Sequence, residues 1–159
     1  DIGRIDFLKI DIQGAELSVM EHGITALQST VAIQTEVSFF PLYETQPSFG
    51  EIDVFLRKNG FVPHSFLHIE KRLVLSRKGR ALDPKLATQM LDGDILYLRD
   101  LSASENLSVD MLRGLASLAD GVFDLPDIVL RCLDALEKRE HLSAKQVDRY
   151  FDILVNQQA

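Results

Sequence analysis

Apolar and polar positions change their period several times along this chain, and each change marks an element. Residues 5–16 read I-D-F-L-K-I-D-I-Q-G-A-E. Ile5, Phe7, Leu8, Ile10 and Ile12 form a short apolar run that fits a strand buried in a sheet. Lys9, Asp11 and Gln13 alternate with it, so their side chains leave one face of an extended chain. A polar row at the end of a buried strand is costly unless it is paired, solvated or used. Gly14 lets the backbone turn without a Cβ clash. From Ala15 the period becomes helical, with Leu17, Met20, Ile24 and Leu27 on one stripe.

Residues 31–39 (V-A-I-Q-T-E-V-S-F) alternate again and are rich in β-branched side chains, which predicts a second strand. Val31, Ile33, Thr35 and Val37 share one face, with Gln34 and Glu36 on the other. The helix between the two strands makes them parallel and brings Glu36 near the same sheet edge as Asp11. Residues 40–47 hold two prolines and no period, hence a loop. Ser48 with Glu51 has the capping-box pattern. Ile52, Phe55 and Leu56 give the apolar face of the helix it opens, and Asn59-Gly60 closes that helix. Residues 61–66 predict a third strand, in which Pro63 points to an edge or a bend. Residues 73–75 read as one arm of a hairpin and 84–91 as a short helix. Residues 95–98 read as a last strand, preceded by a turn at Asp92-Gly93. The order is βαβαβ with one or two strands more, the composition of half of a doubly wound α/β domain.

After Leu101 the strand pattern stops. Helices are expected over 109–120, capped by Ser108 and followed by Gly121, and from Pro126 onward, with Ile128, Val129, Cys132, Leu133 and Leu136 as the apolar face. A third follows Ser143, whose partner Gln146 completes a capping-box pattern, and carries the stripe Val147, Tyr150, Phe151, Leu154, Val155. Such stripes predict packing against one another or on the sheet, with a docking surface for a partner or self-association as the alternative. The expected organisation is 1–100 as an α/β part and 101–159 as a three-helix extension.

Composition narrows the function classes. With 46% hydrophobic and 26% charged residues the 159-residue chain is globular, long enough for one core with an appendage. A net charge of -7 argues against a nucleic-acid partner. The densest basic stretch, Lys71, Arg72, Arg77, Lys78 and Arg80, reads as a solvated loop or hairpin. Cys132 is the single cysteine, so no internal disulfide forms, and its apolar helical setting reads as core. A reducing, cytoplasmic location fits. No apolar run reaches the ~20 residues of a membrane span. The chain begins at Asp1 almost directly on a core strand, and it is expected to be the back part of a longer protein.

No P-loop, G-x-S-x-G, H-E-x-x-H or G-x-G is present. His22, His64, His68 and His141 are scattered, so no metal site is expected; His22 and His141 read as surface residues. The remaining polar set is Lys9, Asp11, Gln13, Glu16 and Glu36. It is either an ion-paired network in which Lys9 neutralises Asp11, or a binding or proton-transfer site at a strand's carboxyl end.

The segments I-D-F-L-K-I-D-I-Q-G-A-E-L-S-V-M, V-A-I-Q-T-E-V-S-F and E-I-D-V-F-L-R-K-N-G-F together resemble the FkbM family of methyltransferases, over residues 5–100. Members carry a K-I-D-V-E-G-A-E-like segment, then an E-V strand, then a helix ending in G-F or G-Y. Gln13 stands where the family usually has Glu, and a neutral amide cannot act as a base there. The resemblance implies an S-adenosylmethionine-dependent methyltransferase with a Rossmann-like sheet of the class I kind, of bacterial type. This chain would be its C-terminal half, a fragment inactive alone because the glycine-rich loop and the ribose-binding acid lie on earlier strands. The implied reaction is direct displacement of the activated methyl group onto a hydroxyl of a sugar, polysaccharide or secondary metabolite. The protein aligns the acceptor, and a base removes its proton. Asp11, Lys9 and Glu36 are the expected catalytic residues, Asp11 and Gln13 the cofactor contacts. Glu16, Tyr43 and His64 are the expected substrate contacts. The alternative is a sheet that has lost catalysis and serves as a binding module, with the helical tail docking a partner.

Overall fold

The structure is a computed structural model describing residues 3–157. Four strands form one sheet: β1 (Phe7–Ile10), β2 (Ala32–Ser38), β3 (Phe61–Arg72) and β4 (Gln89–Arg99), in the order β1-β2-β4-β3. β1 and β2 are parallel, as the helical crossover predicts, with Lys9 opposite Gln34 and Ile10 opposite Thr35. β4 runs antiparallel to both β2 and β3. The architecture is thus α/β with a mixed sheet.

The crossover is two short helices, α1 (Glu16–His22) and α2 (Ile24–Leu27), broken at Gly23. Met20 and Leu27 are buried on the stripe that the spacing predicts, while Ile24 is exposed. α3 (Phe49–Lys58) begins on the expected capping box. Ser48 N–H donates to Glu51 Oε2 at 2.8 Å, and Glu51 N–H donates to Ser48 Oγ at 3.4 Å. The helix ends at Asn59, followed by Gly60 at φ 79°.

Several expectations change. β1 is shorter than its apolar run and lies at a sheet edge, so Phe7 and Leu8 are only partly buried and Ile12 is exposed. β3 reaches Arg72 and holds the opposite edge, where the missing N–H of Pro63 is tolerated and three register shifts bend the strand. β4 begins at Gln89, so Asp92 and Gly93 lie inside a strand and are no turn. Residues 73–75 form no hairpin arm, and the helix expected over 84–91 shrinks to one 3-10 turn, Pro84–Leu86, because Gln89 already pairs with Arg72.

Beyond β4 come a 3-10 segment (Leu101–Asn106) and the helices α4 (Val109–Leu118), α5 (Pro126–Glu137) and α6 (Ala144–Gln157). Ser108 caps α4, its Oγ accepting from Met111 N–H at 3.1 Å. α4 ends at Leu118, and a π-helical turn, Ala119–Phe123, absorbs the residues expected to prolong it. Only the side-chain arm from Gln146 forms in the α6 cap, Ser143 N–H donating to Gln146 Oε1 at 3.0 Å.

The core lies on both faces of the sheet. Ile33, Val37, Ile95 and Tyr97 pack with Met20, Leu27, Ile52, Leu56 and Phe61 on one side. Ala32, Leu96 and Leu98 pack with Leu112, Leu115, Val129, Cys132 and Leu136 on the other. α4 and α5 therefore cover part of the second face, and Phe7 meets Phe123 edge to face with ring centroids 5.3 Å apart. Burial pushes the Cys132 thiol up to about 12, the behaviour of a core residue. On α6, Val147 is buried, but Phe151, Ile153 and Val155 are exposed.

Candidate active site

Parallel register brings the carboxyl ends of β1 and β2 together. Opposite residues in a parallel pair share a face, so Lys9 and Asp11 project on the same side as Gln34 and Glu36. This is the face on which Ala32 and Leu98 lie under the helical layer, and the polar row continues it beyond that cover. Carboxylate oxygens of Asp11, Glu16 and Glu36 lie within 4.8 Å of one another. The sequence places these three carboxylates at one sheet edge, and folding brings their oxygens within reach of a common ion or proton. Oxygen-only ligands at this spacing suit a hard cation. The same spacing also suits a shared proton, and internal donors already engage all three groups.

The turn after β1 supplies those donors. Gln13 has φ 59° and Gly14 φ 102°. At Gly14 a Cβ would lie 3.3 Å from Gln46 Cγ and 3.7 Å from Tyr43 Cδ2, so the loop over 40–47 packs directly on the turn. Glu16, 3% exposed, reaches back from the first turn of α1. Its Oε1 accepts from Ile12 N–H at 2.8 Å and its Oε2 from Gly14 N–H at 3.0 Å. These charge-assisted bonds clamp the left-handed backbone in place. Gln13 Nε2 then donates to Asp11 Oδ1 and to Glu36 Oε2, each at 3.2 Å.

Glu36 is the most perturbed carboxyl of the group. Partial burial is the first cause, followed by a hydrogen bond with Asp11 and by the charges of Asp11, Glu16 and Asp92; together they push it up to about 7. Asp92, lifted by burial and then by the charge of Glu70, also sits above the usual carboxylate range. A carboxyl that exchanges its proton near neutrality, at the open end of a sheet, can take a proton from a bound hydroxyl.

Asp11, Gln13, Glu16, Glu36 and Tyr43 are thus gathered around one turn. Lys9 is exposed and forms no ion pair among the described residues, so its ammonium does not neutralise Asp11. His64 stands apart. It precedes Ser65, which pairs with Leu96 at the level of Gln34, whereas the residue on the Glu36 level across Asp94 is His68. His68 Nε2 lies 3.5 Å from Glu70 Oε2. Sequence reading missed Asp92 and Asp94 because Asp92-Gly93 looks like a turn. Their spacing of two, matching that of Glu36 and Ser38 on the facing strand, is the signal that could have found them.

No curated protein and no solved structure matches the chain. Among the described residues no helix is long and apolar enough to cross a membrane. Residues 1–63, which hold β1, β2, α3 and each of Asp11, Gln13, Glu16, Glu36 and Tyr43, match the family model described as the methyltransferase FkbM domain.

Proposed function

We propose that the chain is the C-terminal half of a cytoplasmic S-adenosylmethionine-dependent O-methyltransferase, with residues 1–100 in a class I sheet and 101–159 packed on it as a helical extension. The observation that carries this reading is the coincidence of the FkbM match with the carboxylate cluster at the strand ends. The acceptor is a small molecule or carbohydrate presenting a hydroxyl of a sugar, polysaccharide or secondary metabolite.

The donor set fits the cofactor's charge. A sulfonium is cationic, and Asp11, Glu16 and Glu36 offer negative charge with an amide hydrogen-bond partner from Gln13. S-adenosylmethionine, when bound, supplies the activated methyl group. Asp11 and Gln13 are the residues that would hold it. The role of base, expected first for Asp11, falls to Glu36, whose ionisation near 7 matches that task. Glu36 takes the hydroxyl proton at a carboxylate oxygen, while the Gln13 amide keeps that carboxylate oriented. Glu16 fixes the turn on which both depend. Tyr43, against Gly14, bounds the acceptor from the loop side. Lys9 is left free to meet an acceptor oxygen.

The test is calorimetric titration of S-adenosylmethionine into the full-length parent, with the 159-residue chain alongside. Binding by the parent alone is expected. In the parent, Glu36→Gln should lower methyl transfer by about 10²-fold or more, the scale of a lost general base. A folded parent that does not bind the donor overturns the proposal. The non-catalytic binding module then stands in its place, with Gln13, a neutral amide at the family's usual Glu position, as the residue that favours it.

A further inference from the structure

The same end of the sheet carries a second feature of opposite charge. Phe39 and Phe40 N–H groups both donate to Leu91 O, at 2.9 and 3.1 Å, so the chain leaving β2 stays against β4. There, β3 and β4 run on to the Arg72–Gln89 pair. A cavity of about 510 Å³ opens among Phe40, Lys71, Arg72, Leu73, Leu75 and Gln89. Among the described residues no carboxylate lines it. The Arg72 guanidinium carbon lies 3.6 Å from the centroid of the Phe40 ring. This stacking fixes the plane of the guanidinium and leaves its edge for a planar oxyanion. Arg72 Nε is buried with no hydrogen-bond partner among the described residues. Neither Lys71 nor Arg72 forms an ion pair among the described residues.

The surroundings make this more than an ordinary surface arginine. The chain carries a net charge of -7, and Asp11, Glu36, Asp92 and Asp94 crowd the neighbouring strand ends. Between Glu70 and Asp83, by contrast, Lys71, Arg72, Arg77, Lys78 and Arg80 occur with no acid among them. Arg77 and Arg80 line an adjoining cavity of about 460 Å³ with Leu75 and Ser76. Apolar walls with a few convergent donors of one sign describe a site for an anionic group attached to a body with an apolar face.

We infer that this pocket anchors the acceptor by a carboxylate or phosphate group remote from the hydroxyl that is methylated. The inference rests on the methyltransferase reading and names its substrate class: an acidic or phosphorylated sugar, or a chain of them. From Asp94, which pairs with Glu36, to Gln89, an extended strand covers roughly 17 Å, so the anion and the reacting hydroxyl sit on different parts of an elongated acceptor. Binding energy from such a remote group positions the reacting centre.

The experiment uses the 159-residue chain labelled with ¹⁵N and three probes, glucose 6-phosphate, glucuronate and glucose. Saturable shifts of the Phe40, Leu73, Leu75 and Gln89 amides are expected with an anionic probe and not with glucose. Response to one anion alone identifies its group; response to both assigns the site to anions in general. Arg72→Met should weaken binding at least tenfold, Arg72→Lys less. Lys71→Ala, at an exposed position, serves as a second variant if Arg72→Met unfolds, and should weaken binding several-fold. Equal shifts with glucose, shifts that map elsewhere, no saturation, or unchanged binding by a folded Arg72→Met chain would each overturn the inference. The probes need no methyl donor. A parent that fails to bind S-adenosylmethionine while the chain still binds the anion therefore removes the methyltransferase reading and leaves the subsite.

Discussion

The Gln13 amide nitrogen lies 3.2 Å from Glu36 Oε2, across two strands that are distant in sequence. The same nitrogen reaches Asp11 Oδ1 at 3.2 Å. A neutral donor between two carboxylates offsets part of their repulsion without adding a net charge. A glutamate at this position would remove the donor and add another negative group.

That relationship predicts the effect of Gln13→Leu. A hydrogen bond to the charged form lowers a carboxyl's pKa, and its loss raises it. Glu36, already pushed up to about 7, should titrate higher still in the variant. Gln13→Glu should move it in the same direction and further. Carbon-detected NMR titration of the side-chain carboxyls reads both, and a Glu36 titration unchanged in Gln13→Leu would show that the amide does not support the carboxylate.

Stability should fall as pH rises through this site. Glu36 takes up its proton at about 7 in the folded chain, against an ordinary value of 4.5. Between those values the native state binds more protons than the unfolded state, so the slope of unfolding free energy against pH is negative. The contribution is fully present below about 4.5 and is lost as pH passes 7. Urea unfolding midpoints of the wild type should therefore decline over that window relative to Glu36→Gln, whose curve should be flatter. The same slope in both chains would place the titration elsewhere.

Local features of the fold were legible, and long-range ones were not. The capping box at Ser48, the break after Asn59, the alternation of β2 and the Ser108 cap depend on residues within one or two turns of each other, and each is where the pattern puts it. Register depends on residues that meet only after folding. Asp-Gly is a turn signal and is disfavoured in strands, but here Gly93 is required by the close approach of β3, so residues 92 and 93 carry the wrong local signal. The sequence does not show that His68, not His64, lies level with Glu36, because it does not count the bulges that shift β3 against β4. In the site, the first turn showed which polar residues share a face. It did not show that Glu16 would turn back onto Ile12 and Gly14, or that Gln13 and not Lys9 would partner Asp11.

Gly93 turns that lesson into a measurable contrast. It pairs with Val37 on one side and Ile69 on the other, and a Cβ there would fall 2.5 Å from the carbonyl oxygen of His68. Backbone must move to admit it, so Gly93→Ala should cost about 1–3 kcal/mol. At Gly121, in the π-helical turn, a Cβ would meet nothing within 4 Å. Gly121→Ala should be neutral or stabilise by up to ~1 kcal/mol through the unfolded state. Urea unfolding of the two variants separates the cases, and equal effects would contradict the close approach of β3 to β4.

Arg99 predicts a larger loss, far from the chemistry. It lies at the end of β4, 9% exposed, with its guanidinium 4.0 Å from the Phe61 ring centroid. Its Nε donates to Thr30 O and its Nη1 to Asn59 O, both at 2.7 Å, and Nη2 reaches Leu27 O and Gln28 O. Leu27 and Gln28 close α2, Asn59 closes α3 and Thr30 leads into β2, so these carbonyls lie where helical N–H donors run out, although Leu27 O also accepts from Thr30 N–H at 3.2 Å. One cation therefore ties both helix ends to the sheet, and burial lowers its pKa without displacing it from these partners. Arg99→Met keeps much of the packing but removes the guanidinium donors from Thr30 O, Asn59 O and Gln28 O, and should cost roughly 2–4 kcal/mol. Arg99→Lys keeps the charge but loses the planar fork, and should recover only part of that loss. Unfolding midpoints rank the chains as wild type, Arg99→Lys, Arg99→Met. If Arg99→Lys equals the wild type, charge alone holds the two helices, and the forked geometry contributes nothing.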